Sequence, residues 1–262
     1  MINRARISSM IALLALIMLT TLTFHSTQKV EADHKLESWP HTPGQLLELD
    51  VGVNLTPRFA EHLPGVLADL SDPRFGNPVR LTAVPGAGKN DGECPHVVGR
   101  IEICNLNLGE TGGNGFLVID FDENGFMLAA VAIINDFYFP GPPWEDELIH
   151  TEDRILILCH ELGHAIGLDH QDESGKSLGT CMDYSGDAYR LNAHDYIQLA
   201  RQYGAKLHVI NVGGVRTAGT SVVIASSEAQ KADEDHEREK RVEKPNEYGG
   251  VTVTITLPEL KR

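Results

Sequence analysis

The stretch that most constrains this chain is His160 to His170, HELGHAIGLDH. On a helix, His160 and His164 are four residues apart and stack on one face, so two imidazoles can reach a single cation. Glu161 is the next residue around, near enough to hold a water at that cation without ligating it. Gly167 can take the left-handed conformation that ends a helix, and His170, three residues on, then meets the same point from another side. A His pair at this spacing is common on helix surfaces. Here every fixed position of the longer pattern is filled, and His160, His164 and His170 supply the three protein ligands that a catalytic zinc takes while its fourth position stays open.

Local signals support that helix. Thr151 is placed to cap it, Glu152 and Asp153 favour the positive end of its dipole, and the body runs through Ile155 to Ile166. Asn192, with Asp195 three residues on, opens a second helix that reaches Tyr203 and stops at Gly204. Upstream, Leu46 to Leu55 reads as a strand, and Pro57, Phe59, Leu63, Val66, Leu67 and Leu70 have helical spacing broken by Pro64. Val79 to Val84, Arg100 to Cys104, Phe116 to Phe121 and Phe126 to Ile134 are short β-like runs. The last two join through Glu123-Asn124-Gly125, a hairpin signal because Asn and Gly tolerate positive φ. Asp120 to Gly125 also imitates the start of an EF-hand calcium loop, but its twelfth position is Val131 and strands flank it, which favours the hairpin.

The order of these elements implies an α+β fold for residues 33–204. Before it, Arg4 and Arg6 precede the apolar run Met10 to Phe24, and Val30-Glu31-Ala32 offers a cleavage site, so residues 1–32 read as a secretory signal peptide. An uncleaved N-terminal anchor is the alternative, because Ile7 to Gln28 carries no charge. After residue 204 comes an extension, 205–262, whose stretch of mixed charge from Ser226 to Glu247 reads as a solvated helix or disordered linker. It ends in the alternation of Val251, Val253, Ile255 and Leu257 with threonines, as in a strand.

Export makes the four cysteines disulfide candidates. Of three possible pairings, the local one joins Cys94 to Cys104 and Cys159 to Cys181. Cys159 adjoins His160, but one residue along a helix turns a side chain about a hundred degrees away, so it is not read as a ligand. The net charge is −15, and residues 33–203 hold 27 acidic against 10 basic side chains. A surface this negative repels phosphate backbones and excludes nucleic acid as an expected partner. Asn54-Leu55-Thr56 fits the glycosylation pattern, a weak signal when followed by Pro57.

At the residues of the zinc pattern the chain resembles the metzincin clan of metallopeptidases, whose motif is His-Glu-x-x-His-x-x-Gly-x-x-His followed by a methionine-containing turn. His160, Glu161, His164, Gly167 and His170 match it, and Met182 in Thr180-Cys181-Met182-Asp183-Tyr184 lies where the Met-turn belongs. More broadly the likeness spans Leu46 to Gly204 and is greatest to the matrixins. Gln171 stands where matrixins have Ser after the third His, and Tyr184 where they have Pro, as in astacins and serralysins. A cysteine-switch prosegment and the His cluster of a second, structural zinc are not found; His96 and His150 stand alone.

The resemblance implies a twisted mixed sheet, an active-site helix binding one catalytic Zn2+, and a last helix after the Met-turn. It implies a secreted monomeric endopeptidase acting on protein or peptide substrates, with His160, His164 and His170 on the metal, Glu161 as general base and Tyr184 as a second catalytic group. Substrate is expected along an edge strand, Phe116 to Phe121. An exported protein with a structural zinc, or a zinc hydrolase of non-peptide amides, are the competing readings. The first lacks the fourth protein ligand of a structural site.

Overall fold

Alternating burial along the first strand, Leu47, Leu49 and Val51 inward against exposed Glu48 and Asp50, fixes which face of the sheet meets the core. A computed structural model describes residues 36–88, 92–139, 151–204, 242–246 and 249–258. The chain divides into Met1–Glu31 and Ala32–Arg262, and every described residue belongs to the second unit. The signal reading of residues 1–32 and the site of His150 therefore lie outside the described residues. No helix among the described residues is long and apolar enough to cross a membrane.

The architecture is mixed α+β. Among the described residues seven strands run β1 (Leu47–Asn54), β2 (Val79–Pro85), β3 (Ile101–Leu106), β4 (Gly113–Asp122), β5 (Met127–Asn135), β6 (Val242–Pro245) and β7 (Gly249–Pro258), in the spatial order β2-β1-β3-β5-β4-β7-β6. The first four of that order are parallel, and β4 turns back antiparallel on β5. Parallel neighbours need long crossovers, and the one from β1 to β2 supplies the first two helices. The β4–β5 turn is the expected one: Gly125 has φ 80, and the Asp122 carboxylate accepts from the amides of Asn124 and Phe126, each at 2.8 Å.

Among the described residues four α-helices connect or follow the strands: α1 (Pro57–Ala60), α2 (Leu63–Leu70), α3 (Thr151–Ala165) and α4 (Ala193–Tyr203). The expected break before Pro64 splits α1 from α2, with Pro64 in the first turn where its missing N–H costs nothing. Phe59, Leu67 and Leu70, then Ile157, Leu158 and Leu162, then Tyr196, Leu199 and Tyr203 close one core against Ile101, Ile103, Leu117, Ile119 and Ile134. On the opposite face Cys104, Val131 and Val118 pack beneath Cys94. The Cys94–Cys104 disulfide fastens that loop to the sheet. Asn54 is not a free glycosylation site, since its amide gives to Glu102 at 2.6 Å and accepts from Gly88 N at 2.9 Å.

Two expectations need correction. The mixed-charge stretch is not wholly a linker, because Val242–Pro245 within it is strand β6; residues 205–241 lie outside the described residues. More important, Phe116 to Phe121 is not an edge. Strand β7, the β-branched tail, pairs antiparallel with β4 from Asp122↔Gly249 to Gly113↔Pro258, and β6 pairs in turn with β7. An exposed row of backbone donors and acceptors recruits any chain with high β-propensity, and the tail is one.

Candidate metal centre

Helix α3 carries His160, Glu161 and His164 across β4 and β5, and all three are 1% exposed. The helix ends through Gly167 at φ 98, a left-handed backbone that a side chain would strain. A Cβ there would also meet the Tyr203 hydroxyl at 2.8 Å and the Glu37 carbonyl at 3.2 Å. The turn is tied from several sides: Leu36 N gives to Gly167 O at 2.9 Å, Trp39 Nε1 to Ala165 O at 2.8 Å, and the Tyr203 hydroxyl to Ile166 O at 2.9 Å. It returns the chain so that His170, 7% exposed, faces the two helical histidines.

The three Nε2 atoms form a near-equilateral triangle, His160–His164 2.9 Å, His160–His170 3.0 Å and His164–His170 3.0 Å. Their tautomers follow from the other side of each ring. His160 Nδ1 lies 2.6 Å from Cys181 O and His164 Nδ1 2.7 Å from Leu168 O. A carbonyl only accepts, so those nitrogens donate and each Nε2 is left with a lone pair. His170 Nδ1 faces the Tyr184 hydroxyl at 3.2 Å and Glu173 at 3.5 Å. Burial, reinforced by His164 and His170, holds the His160 imidazole well below its ordinary pKa, so the ring is neutral. Two lone pairs converging beside a third imidazole nitrogen offer a place for a shared cation. Nitrogens about 2.0–2.1 Å from a tetrahedral zinc are roughly 3.3 Å apart, close to the spacing seen. Among the described residues this triad is the group of three or more His, Cys, Asp or Glu side chains able to hold a metal ion.

The segment bearing Met182 lies against helix α3: Cys181 O is 2.6 Å from His160 Nδ1, and the Met182 sulfur sits against Gly163. Cys159 and Cys181 form the second disulfide and fasten α3 to the segment bearing Met182. Gln171 N gives to Met182 O at 2.7 Å, and Tyr184 N to Asp172 O at 3.1 Å, so the chain after His170 runs beside that segment. Thr180 receives Met182 N at 3.1 Å and donates to Asp195, whose carboxylate also accepts Asn192 N at 2.8 Å in the capping box of α4. The last helix thus braces the segment that bears Met182.

Two residues of the site escaped the sequence reading. Gly115 on β4 lies against Glu161: a Cβ there would overlap the Glu161 carboxylate and stand 2.7 Å from Ile157 Cδ1. Gly163 lies against the Met182 sulfur in the same way, with Met182 Cε 3.3 Å from where a Cβ would be. A glycine inside a strand signals a close approach, and one inside a helix costs about 1 kcal/mol without a packing reason. Both signals were present. His96, by contrast, is remote from the triad and pairs with Asp120 at 2.7 Å.

No protein-family model and no curated protein matches the chain. Among solved structures, myroilysin is similar over 65% of this chain and 97% of its own, at 12% identity and a TM-score of 0.37.

Proposed function

We propose that this chain is a secreted zinc endopeptidase of the metzincin type that hydrolyses internal peptide bonds, with a signal peptide in 1–32, a catalytic body in 33–204 and an extension in 205–262. The observation that carries the reading is the triangle of three Nε2 atoms with a buried carboxylate, Glu161, on the helix that bears His160 and His164. The two disulfides fit an oxidising compartment.

His160, His164 and His170 would hold the ion, leaving one position for reactants. Bound there, zinc supplies a Lewis acid that polarises the scissile carbonyl and brings the pKa of the attacking water to about 7. Glu161 takes the proton from that water as it attacks, then passes it to the departing amide nitrogen, acting as base and then as acid. Burial against Gly115 and Ile157 keeps its carboxylate fixed between helix and strand. Tyr184 is assigned the donor to the carbonyl oxygen as charge grows on it. To do so its hydroxyl has to swing away from His170 Nδ1, where it rests at 3.2 Å.

The test compares the purified zinc-loaded chain, with strand β7 displaced by Thr252→Pro/Thr254→Pro, on an unfolded protein and on small non-peptide amides. Cleavage at internal peptide bonds, abolished in Glu161→Ala, supports the reading. Turnover of the amides with no cleavage of protein contradicts it.

A further inference from the structure

We infer that β7 stands in the place of substrate and holds the peptidase latent until the strand is displaced. The inference rests on the peptidase reading above.

Glu161 reaches the sheet at β4, where Gly115 makes room for it. One side of β4 is taken by β5. An extended peptide that adds to β4 near Glu161 through main-chain hydrogen bonds must therefore use the other side, and β7 already lies there. It runs antiparallel, with Leu257 opposite Gly115 and Thr256 opposite Phe116, so the tail passes beside the proposed base. The four site residues His160, Glu161, His164 and His170 are 1%, 1%, 1% and 7% exposed, a closed arrangement for an enzyme that must admit a polypeptide.

The pairing is built to be reversible. It is interrupted twice, between Gly113 and Gly115 and between Asp120 and Asp122. Near the Glu161 end the buried Asn114 amide oxygen finds no partner among the described residues, and β7 ends in Pro258, which has no N–H to give. Side-chain anchors lie at the far end: Thr252 donates to Asp120, and Asn246 Nδ2 to Phe121 O at 3.0 Å. The strand is thus held firmly away from Glu161 and loosely beside it, where a competing peptide would enter.

The experiment uses the full zinc-loaded chain and its Thr252→Pro/Thr254→Pro variant, since proline inside a strand breaks the ladder. Two quantities are read: hydrolysis of an unfolded protein, and amide hydrogen exchange over Phe116–Phe121. The variant is expected to cleave at least tenfold faster and to exchange faster over β4. The free decapeptide of residues 249–258 should reverse both changes. Thr252→Val, which removes only the Asp120 anchor, should give a smaller rise of the same sign. Equal hydrolysis by active wild type and variant overturns the inference, as does β4 exchange in wild type already as fast as in the variant. If neither chain cleaves anything, the peptidase reading falls. The strand's role is then judged by exchange, where renewed protection by the decapeptide supports displaceable occupancy of β4 and its lack overturns it.

Discussion

Glu161 of α3 and Gly115 of β4 face each other with no room for a side chain between them. A methyl group at 115 would press on the carboxylate and on Ile157, so the helix or the carboxylate has to move. Gly115→Ala is expected to lower kcat tenfold or more while leaving metal content unchanged, because the atoms nearest the added methyl belong to Glu161 and Ile157 and not to the histidines. Metal analysis beside steady-state kinetics checks this; loss of metal together with activity would show that the residue supports the whole helix instead.

Tyr184 contacts His170 Nδ1 in the resting arrangement. If its hydroxyl donates to the reacting carbonyl, Tyr184→Phe removes about 3 kcal/mol of transition-state stabilisation, roughly a hundredfold in kcat. Metal affinity should then stay as it was. If the hydroxyl only orients His170, the same change weakens metal binding by about 10–100-fold and spares kcat at saturating zinc. A zinc titration of both proteins, read by kcat, separates the two.

The Cys159–Cys181 disulfide closes a loop with a sequence separation of 22 and joins α3 to the Met182 segment. Replacing both cysteines by alanine is expected to destabilise the fold by about 3 kcal/mol, measured by denaturant unfolding. Zinc affinity should fall as well, since His160 Nδ1 gives its hydrogen bond to Cys181 O. Unaltered affinity would mean that the turn holds its shape without the covalent tie.

Gly163→Ala tests the packing of the Met182 sulfur beneath the triad. The added methyl overlaps that sulfur, and overpacking of this kind costs about 1–3 kcal/mol. A melting temperature equal to the wild type would show that the Met182 side chain yields freely.

What could be read before any coordinates was local. The α3 pattern, the Asn192–Asp195 box and the Asn124-Gly125 turn each depend on residues a few positions apart, and each forms. The disulfide pairs follow from nearness in sequence. The alternation of residues 251–257 showed a strand, but a period of two says nothing about its partner. Pairing β7 with β4 spans more than a hundred residues and depends on a vacant edge beside β4, a property of the assembled sheet. The same holds for Gly115 and Gly163, whose bare Cα atoms matter only because Glu161 and Met182 arrive from elsewhere in the chain.

The central claim is that three histidines hold a zinc ion and Glu161 moves the proton. Metal content and peptide hydrolysis, measured on the same preparations of wild type and Glu161→Ala, test it most directly, with β7 displaced by the proline pair in both. The account predicts one zinc per chain in each and hydrolysis in the wild-type background alone. A metal-free chain that still cleaves peptides, or Glu161→Ala with undiminished turnover, would contradict it.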